Sequence, residues 1–187
     1  LEFDGVSDYL RVNTQLANHA DAFGAYFKTF ACWAKFDNTA TEQILAAGWI
    51  SAQSIGLISG ALGACSVDSG DDVKSTTVLQ SNTWYRLVVV SNVDVTDATA
   101  VDAAYADGFS NLDFYVNGVL QQKEAASFYR GAGEMLLGVR KYSGIYDLHM
   151  AGKMSDAQGW NTAWTADDAA FDYANPEQLA LNRGGTS

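Results

Sequence analysis

Retaining hydrolysis of a glycosidic bond needs two carboxyl groups about 5–5.5 Å apart, a spacing that acids at alternate positions of one strand supply. The chain has five glutamates, Glu2, Glu42, Glu124, Glu134 and Glu177, and none opens a Glu-x-Asp-x-Glu strand. The acid–nucleophile pair is read as missing, so no catalytic residue is assigned and the chain is expected not to be an enzyme. Two aspartates brought together from different strands are the remaining route to a hydrolase or lyase. The two histidines are His19, in an Ala/Asn-rich loop, and His149, in a predicted strand. A lone strand histidine is more often structural than a base or a ligand. The sequence contains no Gly-x-Ser-x-Gly elbow, no phosphate loop and no Cys-x-x-Cys pair. Gly131-Ala-Gly133 precedes a strand rather than a helix, so it is a turn and cannot cradle phosphate at a helix N-terminus.

Binding chemistry is better represented. Aromatic residues make up 12% of the chain. Trp33, Trp49, Trp84, Trp160 and Trp164 fall in or beside predicted strands, where core packing is the simplest role. Tyr105, Phe109, Tyr142 and Tyr146 fall in or near predicted loops. Loop aromatics stack on sugar faces and a Tyr hydroxyl adds a hydrogen bond, so these four are the candidate ligand-binding residues. A protein–protein contact also favours exposed Tyr and Phe and is the competing use. Ca²⁺ is the one cofactor worth weighing, with six to eight oxygen ligands to find. Asp68, Asp71 and Asp72 share one turn, and Asn92, Asp94 and Asp97 open a long loop. Neither group follows an EF-hand pattern, and solvated turns account for both. Cys32 and Cys65 each lie in a predicted strand and are read as buried thiols behaving as small hydrophobes. A disulfide between them would need Cα atoms within about 7 Å.

The balance of charge narrows the partners. The net charge is −11, from 22 acidic and 11 basic residues. Nucleic acid is excluded on this ground, because phosphate contacts need clustered Lys and Arg. Docking on anionic lipid is disfavoured for the same reason. No run approaches the roughly 18 apolar residues of a membrane helix, and no charged n-region followed by an apolar h-region opens the chain at Leu1. With 187 residues, 48% of them hydrophobic, one packed domain is expected over residues 1–183, followed by a Gly-Gly-Thr-Ser tail at 184–187.

Period-2 alternation dominates the first three quarters of the sequence. Strands are predicted at Thr29–Phe36, Glu42–Trp49, Ser54–Ser59, Ala61–Val67, Lys74–Leu79, Trp84–Val93, Leu112–Val116, Val119–Ala125, Met135–Arg140 and Leu148–Gln158, with turn residues between them. Many short strands at regular spacing predict an all-β sandwich or barrel. Asn117-Gly118 offers positive φ at both central positions of a type I′ turn, so it predicts a tight hairpin. One helix is predicted at Thr165–Tyr173: Thr165 can cap it, Asp167 and Asp168 suit its positive end, and Asn175-Pro176 stops it. Only the Asn92–Asn111 segment, with four aspartates, Tyr105 and Phe109, breaks the rhythm as a long loop.

The order of these strings resembles the laminin G-like, concanavalin A-like jelly-roll family. Leu1-Glu-Phe-Asp-Gly-Val-Ser-Asp-Tyr-Leu-Arg-Val12 is similar to its first hairpin, and Thr29–Phe36 to its Trp-bearing core strand. Asn82-Thr-Trp-Tyr-Arg-Leu-Val-Val89 resembles its Trp-x-His strand, with Arg86 where His is usual. Leu112-Asp-Phe-Tyr-Val-Asn-Gly118 resembles its most recognisable hairpin, Leu136-Leu-Gly-Val-Arg140 its Gly-x-Arg strand, and Asn161–Asp168 its passage into the helix. The resemblance implies a two-sheet antiparallel jelly-roll sandwich with one short C-terminal helix. Glucanases of that superfamily carry the alternating carboxylates that are missing here. The Asn175-Pro-Glu-Gln-Leu179 ending also resembles laminin G-like modules of tailed-phage structural proteins.

Two roles follow as expectations. The first is a non-catalytic structural or adhesion protein of a phage-like virion, contacting other virion proteins or surface glycans and able to form a homo-oligomer. The alternative is a carbohydrate-binding, lectin-like module of a secreted multidomain protein. Both place the chain on a virion or outside the cell, without membrane insertion.

Overall fold

A computed structural model of the chain describes residues 1–12, 28–47, 54–65, 73–91, 110–126, 135–142, 144–160 and 162–177. Two six-stranded antiparallel sheets pack face to face, and a single helix closes the described chain. The fold is the two-sheet antiparallel jelly-roll sandwich that the family resemblance implies, and it meets the strand pattern's broader expectation of a sandwich or barrel. The first sheet holds β1 (Glu2–Asp4), β3 (Thr29–Phe36), β8 (Trp84–Ser91), β9 (Ser110–Val116), β10 (Val119–Ala126) and β14 (Ala151–Trp160), in the order β1-β14-β3-β8-β9-β10. The second holds β2 (Leu10–Arg11), β4 (Gln43–Ala47), β5 (Ser54–Ile58), β6 (Ala61–Cys65), β7 (Val73–Val78) and β11 (Leu136–Leu137), in the order β2-β11-β4-β5-β6-β7. A separate hairpin, β12 (Arg140–Tyr142) with β13 (Ile145–Asp147), stands beside β4.

Alternation along the strands builds two layers of packing. Phe30, Cys32, Ala34 and Phe36 of β3, with Leu87, Val89 and Phe114, face Leu45, Leu57 and Leu62 of the other sheet. The intervening residues Ala31, Val88, Val90 and Tyr115 face the opposite way, against Trp164 and Ala169 of the helical segment. The run Leu87-Val-Val-Val90 therefore shows no polar alternation because both of its faces are covered. The helix α1 (Ala166–Ala174) begins where predicted. Thr165 and Asp168 form a reciprocal capping box, and Asn175 ends the helix before Pro176.

Arg86 has a clear role in this layer. It is fully buried, and its Nε and Nη2 donate to the two carboxylate oxygens of Asp172 at 2.6 and 3.0 Å. Its Nη1 donates to the Asp156 carbonyl at 3.0 Å and lies 3.0 Å from the Asp156 carboxylate. Asp156 sits at φ +49° in a bulge where β14 slips against β3. The guanidinium thus ties α1 and the bulge of β14 to the centre of the first sheet.

Asn117 and Gly118 take φ of +52° and +76° and connect Val116 to its partner Val119, as the type I′ turn requires. Asn117 Oδ1 also accepts from the Arg86 backbone N–H at 2.9 Å. A Cβ on Gly118 would lie 3.0 Å from both Ala170 Cα and Tyr173 Cβ, so this glycine also lets the helix approach. At the far edge the two sheets are joined by side chains: the hydroxyls of Thr76 and Thr77 on β7 donate to Gln121 on β10.

Two predicted strands and one predicted core residue differ. The Met135–Arg140 strand is broken into β11 and β12 at Gly138, which takes φ +83° against the Phe3 ring. The Leu148–Gln158 strand starts late, at Ala151, because Leu148 takes φ +50°; His149 therefore precedes the strand, with its Nδ1 buried and without a partner among the described residues. Trp84, expected in the core, is 42% exposed at the start of β8. Trp164 is buried as expected, packed against Trp160.

Candidate functional site

The first turn of the chain sets one side of the site. Asp4 accepts hydrogen bonds from the backbone N–H groups of Val6, Ser7 and Asp8, and these hold its carboxyl far below the usual carboxylate range. The resulting turn leads into β2, an edge strand of two residues paired to β11 through Leu10–Leu137 and Arg11–Leu136. Tyr9 and Arg11 are two apart across it and so share a face.

The β12–β13 hairpin sets the other side. Its cross-strand partners are Arg140 with Asp147, Lys141 with Tyr146, and Tyr142 with Ile145. Partners in register project to one side, so Lys141 and Tyr146 share a face. The hairpin is held rigidly. Arg140 Nε and Nη2 donate to the two Asp147 carboxylate oxygens at 2.8 and 2.7 Å, a bidentate geometry that fixes both strands. At its base, Gly138 N–H donates to the Leu45 carbonyl at 3.0 Å and Ile44 N–H donates to the Leu148 carbonyl at 3.0 Å. The Phe3 ring lies so close to Gly138 that a Cβ there would sit 2.4 Å from it. This contact couples the start of the chain to the root of the hairpin.

These two supports bring four side chains together. The Tyr9 and Tyr146 rings stack with centroids 5.0 Å apart and planes 20° apart. Arg11 Nη2 donates to the Tyr146 hydroxyl at 3.2 Å. Lys141 Nζ stands 5.3 Å from the Tyr146 ring centroid, within cation–π range. Desolvation raises the Tyr146 phenol, but hydrogen bonds with Tyr9, Arg11 and Lys141 and the Lys141 charge together outweigh it and hold the phenol below its ordinary value. Tyr9 is 39% exposed, so the stack opens to solvent. The arrangement offers solvent-open aromatic surface with a guanidinium at the Tyr146 hydroxyl and an ammonium over the Tyr146 ring, groups that can stack on a sugar ring and hydrogen-bond its oxygens.

Of the four candidate aromatics, Tyr146 lies in this cluster, on a strand rather than a loop. Tyr142 ends β12, four residues before it in sequence. Tyr105 and Phe109 lie outside the described residues, as do residues 92–109 of the long loop, Asp68, Asp71 and Asp72, the Asn92, Asp94 and Asp97 group, His19, Trp49 and the 184–187 tail. Among the described residues no group of three or more His, Cys, Asp or Glu could hold a metal ion. Tyr9, Arg11 and Lys141 were not predicted as site residues. The signal for Tyr9 and Arg11 was present in their spacing of two, but only the register about Gly144 places Lys141 beside Tyr146.

The nearest approach to a Glu-x-Asp acid pair is Glu2 and Asp4, on edge strand β1. Asp4 is held ionised by the turn it caps, and Glu2, 75% exposed, pairs with Lys153 at 3.3 Å. The Asp4 setting is the opposite of one that would keep a general acid protonated.

No protein-family model matches the chain, and no curated protein matches it by sequence. Solved structures do match it. The fold is concanavalin A-like. The CBM40 domain of a Ruminococcus gnavus sialidase, bound to α2,3-sialyllactose, is similar at TM-score 0.61 and 10% identity, over 91% of this chain and 96% of that one. Domain 4 of an extracellular arabinanase from Geobacillus stearothermophilus, in complex with arabinotriose, matches at TM-score 0.58 and 12% identity, over 92% and 86%. A heptameric SAP-like pentraxin from Limulus polyphemus matches at TM-score 0.59 and 18% identity, over 92% and 80%. At such identities the likeness establishes the fold, and function has to be argued from the site.

Proposed function

We propose that this chain is a non-catalytic, lectin-like module that binds carbohydrate outside the cell, with the Tyr9–Tyr146 stack as its sugar platform. The observation that carries the reading is that stack, open to solvent, with Arg11 at the Tyr146 hydroxyl, Lys141 over the Tyr146 ring, and a hairpin pinned by Arg140 and Asp147 beneath it. A rigid aromatic platform loses little conformational entropy on binding, which is what a weakly held, flexible sugar needs from its receptor. The sialyllactose and arabinotriose complexes of the structural neighbours support glycan binding on this fold. The virion role rests on the Asn175-Pro-Glu-Gln-Leu179 string, which leaves the described residues after Glu177, and none of the neighbours named above carries such a role. Tyr105 and Phe109 stay in the proposal as sequence candidates only.

A glycan array followed by titration of the best hit tests the reading. Tyr146→Ala is expected to weaken binding at least tenfold while the melting temperature moves by no more than about 2 °C, because the ring packs at the surface and not in the core. Wild-type affinity in the Tyr146→Ala protein would show that the platform is not the binding site.

A further inference from the structure

We infer that the chain carries a second, weaker sugar contact on the outer face of the first sheet, centred on Trp84, an inference that adds a site to the glycan-binding reading above. The register of four strands builds it. Glu2 of β1 is opposite Lys153 of β14, Lys153 is opposite Lys35 of β3, and Lys35 is opposite Trp84 of β8. Partners in register project to one side, so these side chains form a row across the sheet. Neighbouring strands lie about 4.8 Å apart, which makes the row about 14 Å long. Trp33 is two residues before Lys35 and opposite Arg86, so it stands on the same face, diagonal to Trp84. Tyr173 of α1 packs on Trp33 with ring centroids 5.9 Å apart. Trp84 and Tyr173 are 42% and 40% exposed.

The chemistry of the row points to an uncharged saccharide. Lys35 and Lys153 supply donors and Glu2, 3.3 Å from Lys153, supplies an acceptor, so the row meets both halves of a hydroxyl's hydrogen bonding. Trp84 is also held in place. In the turn before it, Asn82 N–H donates to the Phe36 carbonyl at 2.6 Å and Thr39 N–H donates to Ser81 Oγ at 3.1 Å. A ring fixed in this way loses little freedom when a sugar stacks on it. The size of the patch decides between occupants. Rings of this kind offer about 150–250 Å² each, so at 42% and 40% exposure Trp84 and Tyr173 together present roughly 200 Å². A stable contact between two proteins covers about 800 Å² on each partner, so the patch suits a sugar ring better than a second copy of the chain. The Trp33 and Tyr173 planes are inclined by 37°, which leaves the Trp84 indole as the flat contact and makes this site weaker than the stacked Tyr9–Tyr146 pair.

The Tyr146→Ala protein isolates this site for the test. Calorimetric titration of it with cellotetraose, xylotetraose, mannotetraose and maltotetraose is expected to find one equivalent of at least one probe bound. Adding Trp84→Ala is expected to weaken that binding by about tenfold or more, equivalent to about 1.4 kcal/mol, with circular dichroism confirming the fold. In the Tyr146→Ala protein itself, the Trp84 indole Nε1–H resonance is expected to shift saturably with the same probe. Failure of every probe to bind that protein, residual binding that survives Trp84→Ala, or a resonance that does not move would each overturn the inference. Self-association that Trp84→Ala abolishes would overturn it too, because the ring would then be a contact between copies. These outcomes leave the Tyr9–Tyr146 platform standing; that reading fails instead when Tyr146→Ala keeps wild-type affinity for the best glycan of the array.

Discussion

Removing Asp172 is the sharpest test of how the sandwich is held together. Asp172→Ala would leave the Arg86 guanidinium fully buried with its Nε and Nη2 unpaired. Truncating one partner of a buried pair typically costs about 3–5 kcal/mol, because the surviving charge has no water to return to. Here the Asp156 carbonyl and carboxylate, each 3.0 Å from Nη1, still neutralise part of that charge. Asp156 is 34% exposed, so its help is screened and the cost falls toward the lower end, about 3 kcal/mol. For a chain of this length each kcal/mol moves the melting temperature by about 2–4 °C, which makes the expected drop about 6–12 °C. The double change Arg86→Met with Asp172→Leu removes both charges and should recover most of the loss, since apolar replacements of buried ion pairs are commonly neutral or better. Calorimetry of wild type, single and double variants reads both numbers. A single variant within about 0.5 kcal/mol of wild type, or a double variant no better than the single, would refute the account of Arg86.

Two further outcomes follow from the fold. Asn117→Ala loses tolerance of the +52° φ and the bond to the Arg86 N–H, so denaturant titration should show a loss of about 1–2 kcal/mol; no change would mean that the turn does not need this residue. Burial pushes the Cys32 thiol up from 9.0 to about 12, against the attraction of Arg86. The unfolded thiol ionises near pH 9 while the folded one stays protonated, so this contribution to stability is complete below pH 9 and declines by about 1.4 kcal/mol per pH unit toward pH 12. Peptide mapping after iodoacetamide at pH 8 should find Cys32 unmodified in the native protein, and rapid native labelling would contradict its burial.

Much of the fold was legible because its signals are local. The Thr29–Phe36 strand is delimited as alternation predicts, and the Thr165–Asp168 capping box and the Asn117-Gly118 turn each lie within four residues of sequence. What failed depended on distant partners. Gly138 reads as one residue of a continuous strand until Phe3, far away in sequence, is seen to occupy the space a side chain would need. The reason for Arg86 in place of His has no local signal, because both of its partners, Asp156 and Asp172, lie seventy or more residues downstream. Cys32 is a free buried thiol, as a small hydrophobe in a two-sided strand should be. The site was half legible: Tyr146 stood out as an aromatic beside a turn, whereas Tyr9 and Arg11 come from another sheet edge and Lys141 from the cross-strand register of its own hairpin.

Arg11 has a plainer use that must be weighed against a ligand. Edge strands invite pairing with other chains, and short length and charge are the usual defences. The two-residue β2, bearing Arg11, meets that description. Edge defence, however, makes no demand on where the charge points, and a solvated Lys or Arg anywhere along β2 would serve. It does not require that the guanidinium reach Tyr146 on a different hairpin, or that Tyr9 two residues earlier stack on the same ring at 5.0 Å. Nor does it require the bidentate Arg140–Asp147 pair that fixes the opposing strand. Ordering long side chains at a surface costs rotamer entropy of up to about 2 kcal/mol each, and an exposed contact between them returns little. Under the proposed function, that order at an open face serves a docked ligand, and the Tyr146→Ala titration separates this use from edge defence, which would leave binding unchanged.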